Sequence, residues 1–262
     1  MGPTGDYGMT FQPTFEYAKF LRIVAVGLFV VSIPLFLIAT NVRWVVNAPV
    51  LYSYGFDKHK ISQRTGIERD ELLSAGRQIR DYFNSGDEFL AVSVIVGNVR
   101  VGSLFNTREV LHMKDVKGLV KGVYRIQEAT GVYLLAFTVI GLLVWRRRFV
   151  PVLARYTALG AGATLALVVL TGLGSLVGFD RLFLVFHQIS FTNDLWQLDP
   201  RTDYLIAMFP QGFFFDATMW IAGSTVVEAL VLAGVGLAWW RPARVLRLAA
   251  KLTARTEVAP VQ

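Results

Sequence analysis

With no cysteine in 262 residues, a thiol nucleophile, a thiolate metal site and lipidation of the chain on its own Cys are excluded. Proton transfer near neutral pH then falls to three histidines, His59, His112 and His187. His112 has Glu109 three residues before it and Asp115 three residues after it. On a helix all three share one face, and a flanking carboxylate fixes an imidazole's tautomer and raises its basicity. The plain alternative is a surface ion pair. His187 follows Leu182, Phe183, Val185 and Phe186 and precedes Asn193 and Trp196. It reads as a proton-transfer group at a membrane boundary, with the Asn193 amide as an oxyanion donor, or as a packed member of an aromatic belt. His59, between Lys58 and Lys60, reads as a solvated loop residue. An imidazole held where headgroups meet water is placed to act on lipid esters.

The neighbouring charges have structural readings of their own. Asp199-Pro200 predicts an N-cap followed by Pro at the first helical position, with Asp203 in the first turn. Asp216 is expected to cap the last apolar helix. Lys117, Lys121 and Arg125, four residues apart, form a basic stripe that would bind lipid phosphate or only snorkel to headgroup height.

The elements that must position these groups are membrane helices. The chain is 54% hydrophobic with a mean hydropathy of +0.48, too apolar for a typical soluble domain. Four stretches reach the ~20 residues needed to cross a bilayer core: residues 20–41, 129–145, 156–177 and 218–240. Pro34 predicts a local kink in the first, and Gly160, Gly162, Gly172 and Gly174 predict close helix contact in the third. Arg146, Arg147, Arg148 and Arg155 crowd the short 146–155 link, and Arg241, Arg244, Arg247, Lys251 and Arg255 crowd the 241–262 tail against Glu257 alone. Both belong on the cytoplasmic side. That places the N-terminal segment 1–19 inside and the loops 42–128 and 178–217 outside. The net charge of +7 is mostly this topology signal and gives no reason to expect nucleic-acid binding.

The first outer loop reads as a small α+β domain. Thr65-Gly66-Ile67-Glu68 predicts a capping box opening a helix to about Asn84, with Leu72, Ile79 and Phe83 on one face. Phe89–Leu104 alternates around Gly97-Asn98 and predicts a short hairpin. Thr107 is expected to cap a helix that runs without a break into the second span. The expected fold class is therefore an α-helical membrane protein, a four-helix bundle with a small extracytoplasmic α+β domain between spans one and two.

Two longer patterns now stand out. His187-x3-Phe191-x-Asn193-x2-Trp196-x2-Asp199-Pro200-x2-Asp203-x-Leu205-Ile206-x2-Phe209-Pro210-x2-Phe213 resembles a signature of the bacterial lipoprotein intramolecular transacylase (Lit) family. Phe105-Asn106-x-Arg108-Glu109-x2-His112-x2-Asp115-Val116-Lys117 is similar to that family's other signature. The same signatures mark related bacterial four-span membrane proteins of unknown function. The resemblance covers nearly the whole chain, including the large first outer loop. It implies an enzyme of the bacterial plasma membrane that moves the sn-2 acyl chain of a diacylglyceryl-cysteine lipoprotein to the α-amino group of that cysteine, giving lyso-form lipoprotein. It also implies catalytic roles for His112 and His187, supported by Glu109, Asp115, Asn193 and Trp196. The expected partners are diacylglyceryl-modified lipoproteins and membrane phospholipid, with no obligate protein partner.

Such a transfer runs from ester to amide, which is downhill, so no ATP or nicotinamide is expected; the sequence has no P-loop or dinucleotide fingerprint for either. No cofactor or metal is implied. Two rival classes stand beside it: a non-catalytic membrane scaffold or lipid-binding protein, and a metal-dependent hydrolase, for which no HExxH-type spacing is present. Two acid–base histidines would have to lie within roughly 10 Å of each other to serve one reacting centre. The Arg clusters carry a direct test. Probes at Arg148 and at the C-terminus should label only from the cytoplasm and probes near Arg77 and Arg201 only from outside; labelling of the Arg77 region from within would refute the layout.

Overall fold

A computed structural model describes residues 13–97 and 99–256, and the side chains of all of these but 13–16, 18, 175–177 and 241–256. Residues 1–12 of the N-terminal segment, Asn98 of the expected turn, Glu257 and the end of the tail fall outside the described residues, as do the side chains of the basic tail. Among the described residues, four helices are long and apolar enough to cross a membrane, over Lys19–Asn47, Thr107–Arg148, Val150–Gly174 and Gln211–Trp240.

Each membrane helix outruns its apolar stretch. α1 (Pro13–Asn47) continues through Pro34. α5 (Thr107–Trp145) is a single helix, about 58 Å long at 1.5 Å per residue, nearly twice the ~30 Å of a hydrocarbon core. Its charged first half, up to Glu128, therefore stands clear of the apolar 129–145 run. A 3₁₀ turn over Arg146–Arg148 joins it to α6 (Val150–Ser190), which holds the third span and the segment leading to His187 in one element, with non-helical backbone at Gly178 (φ −165°, ψ 62°). α8 (Gln211–Thr256) carries the fourth span.

Between α1 and α5 come α2 (Pro49–Lys58), α3 (Ile61–Thr65), α4 (Arg69–Asn84) and a two-stranded antiparallel hairpin, β1 (Val94–Val96) with β2 (Val99–Val101), in the register Val94↔Val101. Side chains tie the hairpin to α4: Gln78 accepts from the Ser93 N–H, and Glu71 accepts from the Ile95 N–H. The one-turn helix α7 (Tyr204–Met208) lies in the return segment between α6 and α8.

Several expected caps belong to other turns. Thr65 ends α3: its hydroxyl donates to the Ile61 carbonyl and accepts from the Ile67 N–H, and Gly66 (φ +70°) turns the chain, so α4 opens later with Glu68 in the N-cap position. Asn106, not Thr107, caps α5, and Glu109 completes the box by accepting from the Asn106 N–H. Asp199-Pro200 opens a turn, the Asp199 carbonyl accepting from Thr202 and Asp203, and the helix that follows begins only after Asp203. Of the four glycines in span three, Gly160 meets a neighbour: a Cβ there would press on Ile33 of α1, whereas Gly162, Gly172 and Gly174 face open space.

Two apolar clusters hold the chain together. Phe29, Ile33 and Leu37 pack with Ala229, Phe36 and Phe137 between the spans. The larger cluster lies beyond them and draws from both interspan segments: Phe56, Ile61, Ile67, Leu72, Ile79 and Val92 share it with Leu205, Met208, Phe209 and Phe213. Residues 42–128 thus do not close a core by themselves. Tyr52 and Phe56 of α2 pack against Phe209 and Phe213 with ring centroids 5.6–6.3 Å apart.

The seam between α2 and α8 also corrects two expectations. His59 is not a solvated loop residue: its Nε2 lies 2.9 Å from Asp216 Oδ2, and Lys58 Nζ lies 2.6 Å from Asp216 Oδ1. Asp216 sits inside α8, largely buried, and so anchors α2 rather than capping the span. Gly55 makes the same seam close, because a Cβ there would overlap the Phe213 ring. Gly55→Ala is expected to destabilise the protein by roughly 1–3 kcal/mol through overpacking; an unchanged thermal midpoint in detergent would show that the seam yields.

Candidate active site

Two helices bring the motif histidines together. His112 lies one and a half turns into α5, and His187 lies on the last turn of α6. Their ring centroids are 6.3 Å apart at 31°, and both rings are buried, 6% and 9% exposed. Aromatic side chains enclose the pair. Phe191 lies 5.0 Å from His112 and 5.6 Å from His187, and Phe183, Trp196 and Phe186 lie 4.3, 5.2 and 5.3 Å from His187.

The two imidazoles differ in their bonding. His187 Nδ1 is 2.7 Å from the Phe183 carbonyl; a carbonyl only accepts, so Nδ1 carries a proton. His112 Nδ1 is buried and has no hydrogen-bond partner among the described residues, an uncommon state for a buried polar atom. Burial, the main cause, and the neighbouring His187 pull the His112 pKa down to about 4 against an opposing pull from Asp115. His112 is thus neutral across the physiological range.

The flanking carboxylates serve other partners. Glu109, 1% exposed, accepts from the Asn106 N–H at 2.7 Å and from the Leu205 N–H at 2.6 Å. Burial pushes its carboxyl above the usual range while those two donors pull it back. Asp115 accepts from Asn193 Nδ2 at 2.9 Å, and Asn193 Oδ1 accepts from the Leu195 N–H. One amide proton of Asn193 is therefore engaged, and the amide acts first as a pin for the 191–196 loop. Arg108 donates to the Asp194 carbonyl, and Asn106 Nδ2 donates to Asp203 Oδ1.

The basic stripe divides. Lys117 is buried, donates to the Asp87 carbonyl at 2.6 Å and lies 4.0 Å above the Tyr82 ring. It is withdrawn from headgroups, whereas Lys121 is half-buried and Arg125 exposed.

Sequence reasoning overlooked Phe191, the ring that touches both imidazoles, and Phe183, whose carbonyl sets the His187 tautomer. Phe191 sits in the quoted pattern, but an aromatic there has no polar signal; Phe183 was detectable as the residue one turn before His187. Asn106 could have been found as the N-x-x-Glu form of the capping box. Among the described residues, no three His, Asp or Glu side chains cluster so as to hold a metal ion.

A multi-pass helical membrane protein with a buried histidine pair at the end of its bundle is the class that fold and site define. The model of the family "lipoprotein intramolecular transacylase Lit" matches residues 27–214, and the chain belongs to that family of membrane acyltransferases. The solved structure of the membrane-integral lipoprotein intramolecular transacylase Lit from Bacillus cereus is similar at 19% identity, with a TM-score of 0.72 over 87% of this chain and 99% of that one. Two variants of the same Bacillus cereus protein, one histidine changed to arginine or to alanine, each align at 18% identity with TM-scores of 0.68. These likenesses carry the fold. No curated protein sequence matches the chain.

Glu109→Ala would leave the Asn106 and Leu205 N–H groups without their acceptor. The expected loss is about 1–3 kcal/mol, chiefly from the orphaned Leu205 donor, whose bond is buried. Wild-type thermal stability in that variant would show that Glu109 does not join the two motif segments.

Proposed function

We propose that this chain transfers the sn-2 acyl group of a diacylglyceryl-cysteine lipoprotein to the α-amino group of the same cysteine, using His112 and His187 for proton transfer. One observation supports the reading above all: two buried imidazoles with ring centroids 6.3 Å apart, one buried ring nitrogen of His112 having no hydrogen-bond partner among the described residues. The elements between spans one and two act in this reading as an extracytoplasmic α+β cap. Both chain termini are cytoplasmic, and the histidines face the outer leaflet.

The neutral amine attacks the ester carbonyl, forming the C–N bond and an oxyanion. As the tetrahedral intermediate forms, the nitrogen becomes cationic and its proton acidic, and the neutral His112 ring accepts that proton. The C–O bond to the glycerol sn-2 oxygen then breaks, and the proton taken by His112 passes by way of His187 to that oxygen, so both rings return to their starting forms and no net proton is gained or lost. The second Asn193 amide proton and backbone N–H groups are the candidate oxyanion donors. Amine and ester belong to one molecule, and holding them together removes much of the entropic barrier. Phe183, Phe191 and Trp196 keep water from the pair, which favours transfer to the amine over hydrolysis.

His112→Ala and His187→Ala should each reduce lyso-form production roughly 10²–10⁴-fold per folded molecule, measured by mass spectrometry of lipoprotein N-termini and normalised to protein in the membrane. His59→Ala should act differently. It removes a contact to Asp216 and lowers the amount of protein while leaving conversion per molecule intact. Full lyso-form production by the His112→Ala, His187→Ala double variant would end the two-histidine mechanism.

A further inference from the structure

Away from the histidine pair, α2 and α4 enclose a cleft of about 260 Å³ lined by Pro49, Val50, Tyr52, Ser53, Leu73, Gly76, Arg77 and Arg80. Its α4 contributors are spaced i, i+3, i+4 and i+7, one helix face. The floor is apolar and closely built: Gly76 lets the Tyr52 ring approach, and a Cβ there would come within 3.1 Å of it. Two arginines line the same space, and no acid is among the lining residues. Arg80 is bonded to Asp81 beside the cleft; Arg77 is exposed and makes no ion pair among the described residues. The first turn of α2, with no side chain capping it, adds the positive end of a helix dipole.

The position of the cleft selects its ligand. Tyr52 donates to the carbonyl of Val46, and Asn84, which donates to the Arg80 carbonyl, also donates to Asn47, the last residue of α1. The cleft therefore opens where the first span leaves the membrane. Val50, which lines it, is exposed, and so is Trp44, one turn before the end of α1 and against Trp220; Trp is a residue type that sits among headgroups. A cationic, apolar-floored cleft at that height complements a phosphodiester with glycerol attached. Its volume lies below the roughly 300–1,000 Å³ of pockets that enclose whole drug-sized ligands, so the acyl chains would remain in the bilayer.

We propose that this cleft binds the headgroup of an anionic phospholipid, with Arg77 and Arg80 on the phosphate and Val50, Tyr52 and Leu73 against the glycerol. Arg80 would exchange its contact with the exposed Asp81 for the lipid phosphate. The site is separate from the histidine pair and does not depend on the acyl-transfer reading.

Native mass spectrometry of the full chain in detergent, titrated with dioctanoyl phosphatidylglycerol, tests it. Wild type should retain one such lipid in preference to dioctanoyl phosphatidylcholine. Arg77→Gln with Arg80→Gln should weaken that retention roughly tenfold or more, given the strength of charge-assisted bonds to phosphate. Val50→Trp fills the cleft without altering charge and should weaken it as well, while Arg64→Gln with Arg100→Gln, both exposed and outside the cleft, should leave it unchanged. Retained thermal stability of the variants keeps folding out of the comparison. Equal retention by the Arg variant and wild type would overturn the proposal, as would equal retention of the zwitterionic lipid. Displacement by millimolar inorganic phosphate as effective as by the lipid would also overturn it, by marking a free-anion site.

Discussion

The carboxylate of Glu109 is the constraint on which the rest of the site depends. It is buried at the start of α5 and accepts backbone N–H groups from two distant parts of the chain, Asn106 and Leu205. The Leu205 N–H makes its bond in a buried setting, so its satisfaction requires the 203–209 segment to lie against the top of α5. Asn106 to Asp203, Arg108 to the Asp194 carbonyl and Asn193 to Asp115 repeat the tie along the same helix. Once this lacing is in place, Phe191 and Trp196 have little choice but to close over the imidazoles.

The enclosure has an electrostatic consequence. Rings of Phe and Trp supply no hydrogen bonds to a cation, so a buried imidazole among them is disfavoured in its charged form. His112 is held neutral by its surroundings, while the Phe183 carbonyl fixes the proton of His187 on Nδ1. The two rings are close in space but unlike in their bonding.

Much of this was legible in the sequence, for physical reasons. Apolar runs long enough for a bilayer mark the four membrane helices, and the absence of proline between Arg108 and Trp145 marks α5 as one rod. The i±3 spacing around His112 placed Glu109 and Asp115 on its face, but spacing does not say what a carboxylate will bind. Both were claimed by donors some 80 to 100 residues away in sequence. His59 was misread for a related reason: its Lys neighbours suggest solvent, and nothing local announces that Asp216 comes to meet it. Thr65 and Thr107 are good cap residues displaced by better-placed neighbours. Lys117 looked like a headgroup contact because Asp87 and Tyr82, which hold it, lie 30 and 35 residues upstream.

The helix that carries span three does not stop at the bilayer surface; it continues past Gly178 to Ser190 and delivers His187 on its last turn. A helix turns about 100° for each residue. One residue inserted or deleted between Gly178 and His187 would therefore swing the imidazole by more than a quarter of a turn, out of the aromatic enclosure and toward lipid. The irregular stretch from Gln197 to Thr202 imposes no such rule, because a turn can absorb an extra residue. Length variation among descendants of this chain should thus be barred from the first interval and tolerated in the second, even where the amino acids themselves are free to change.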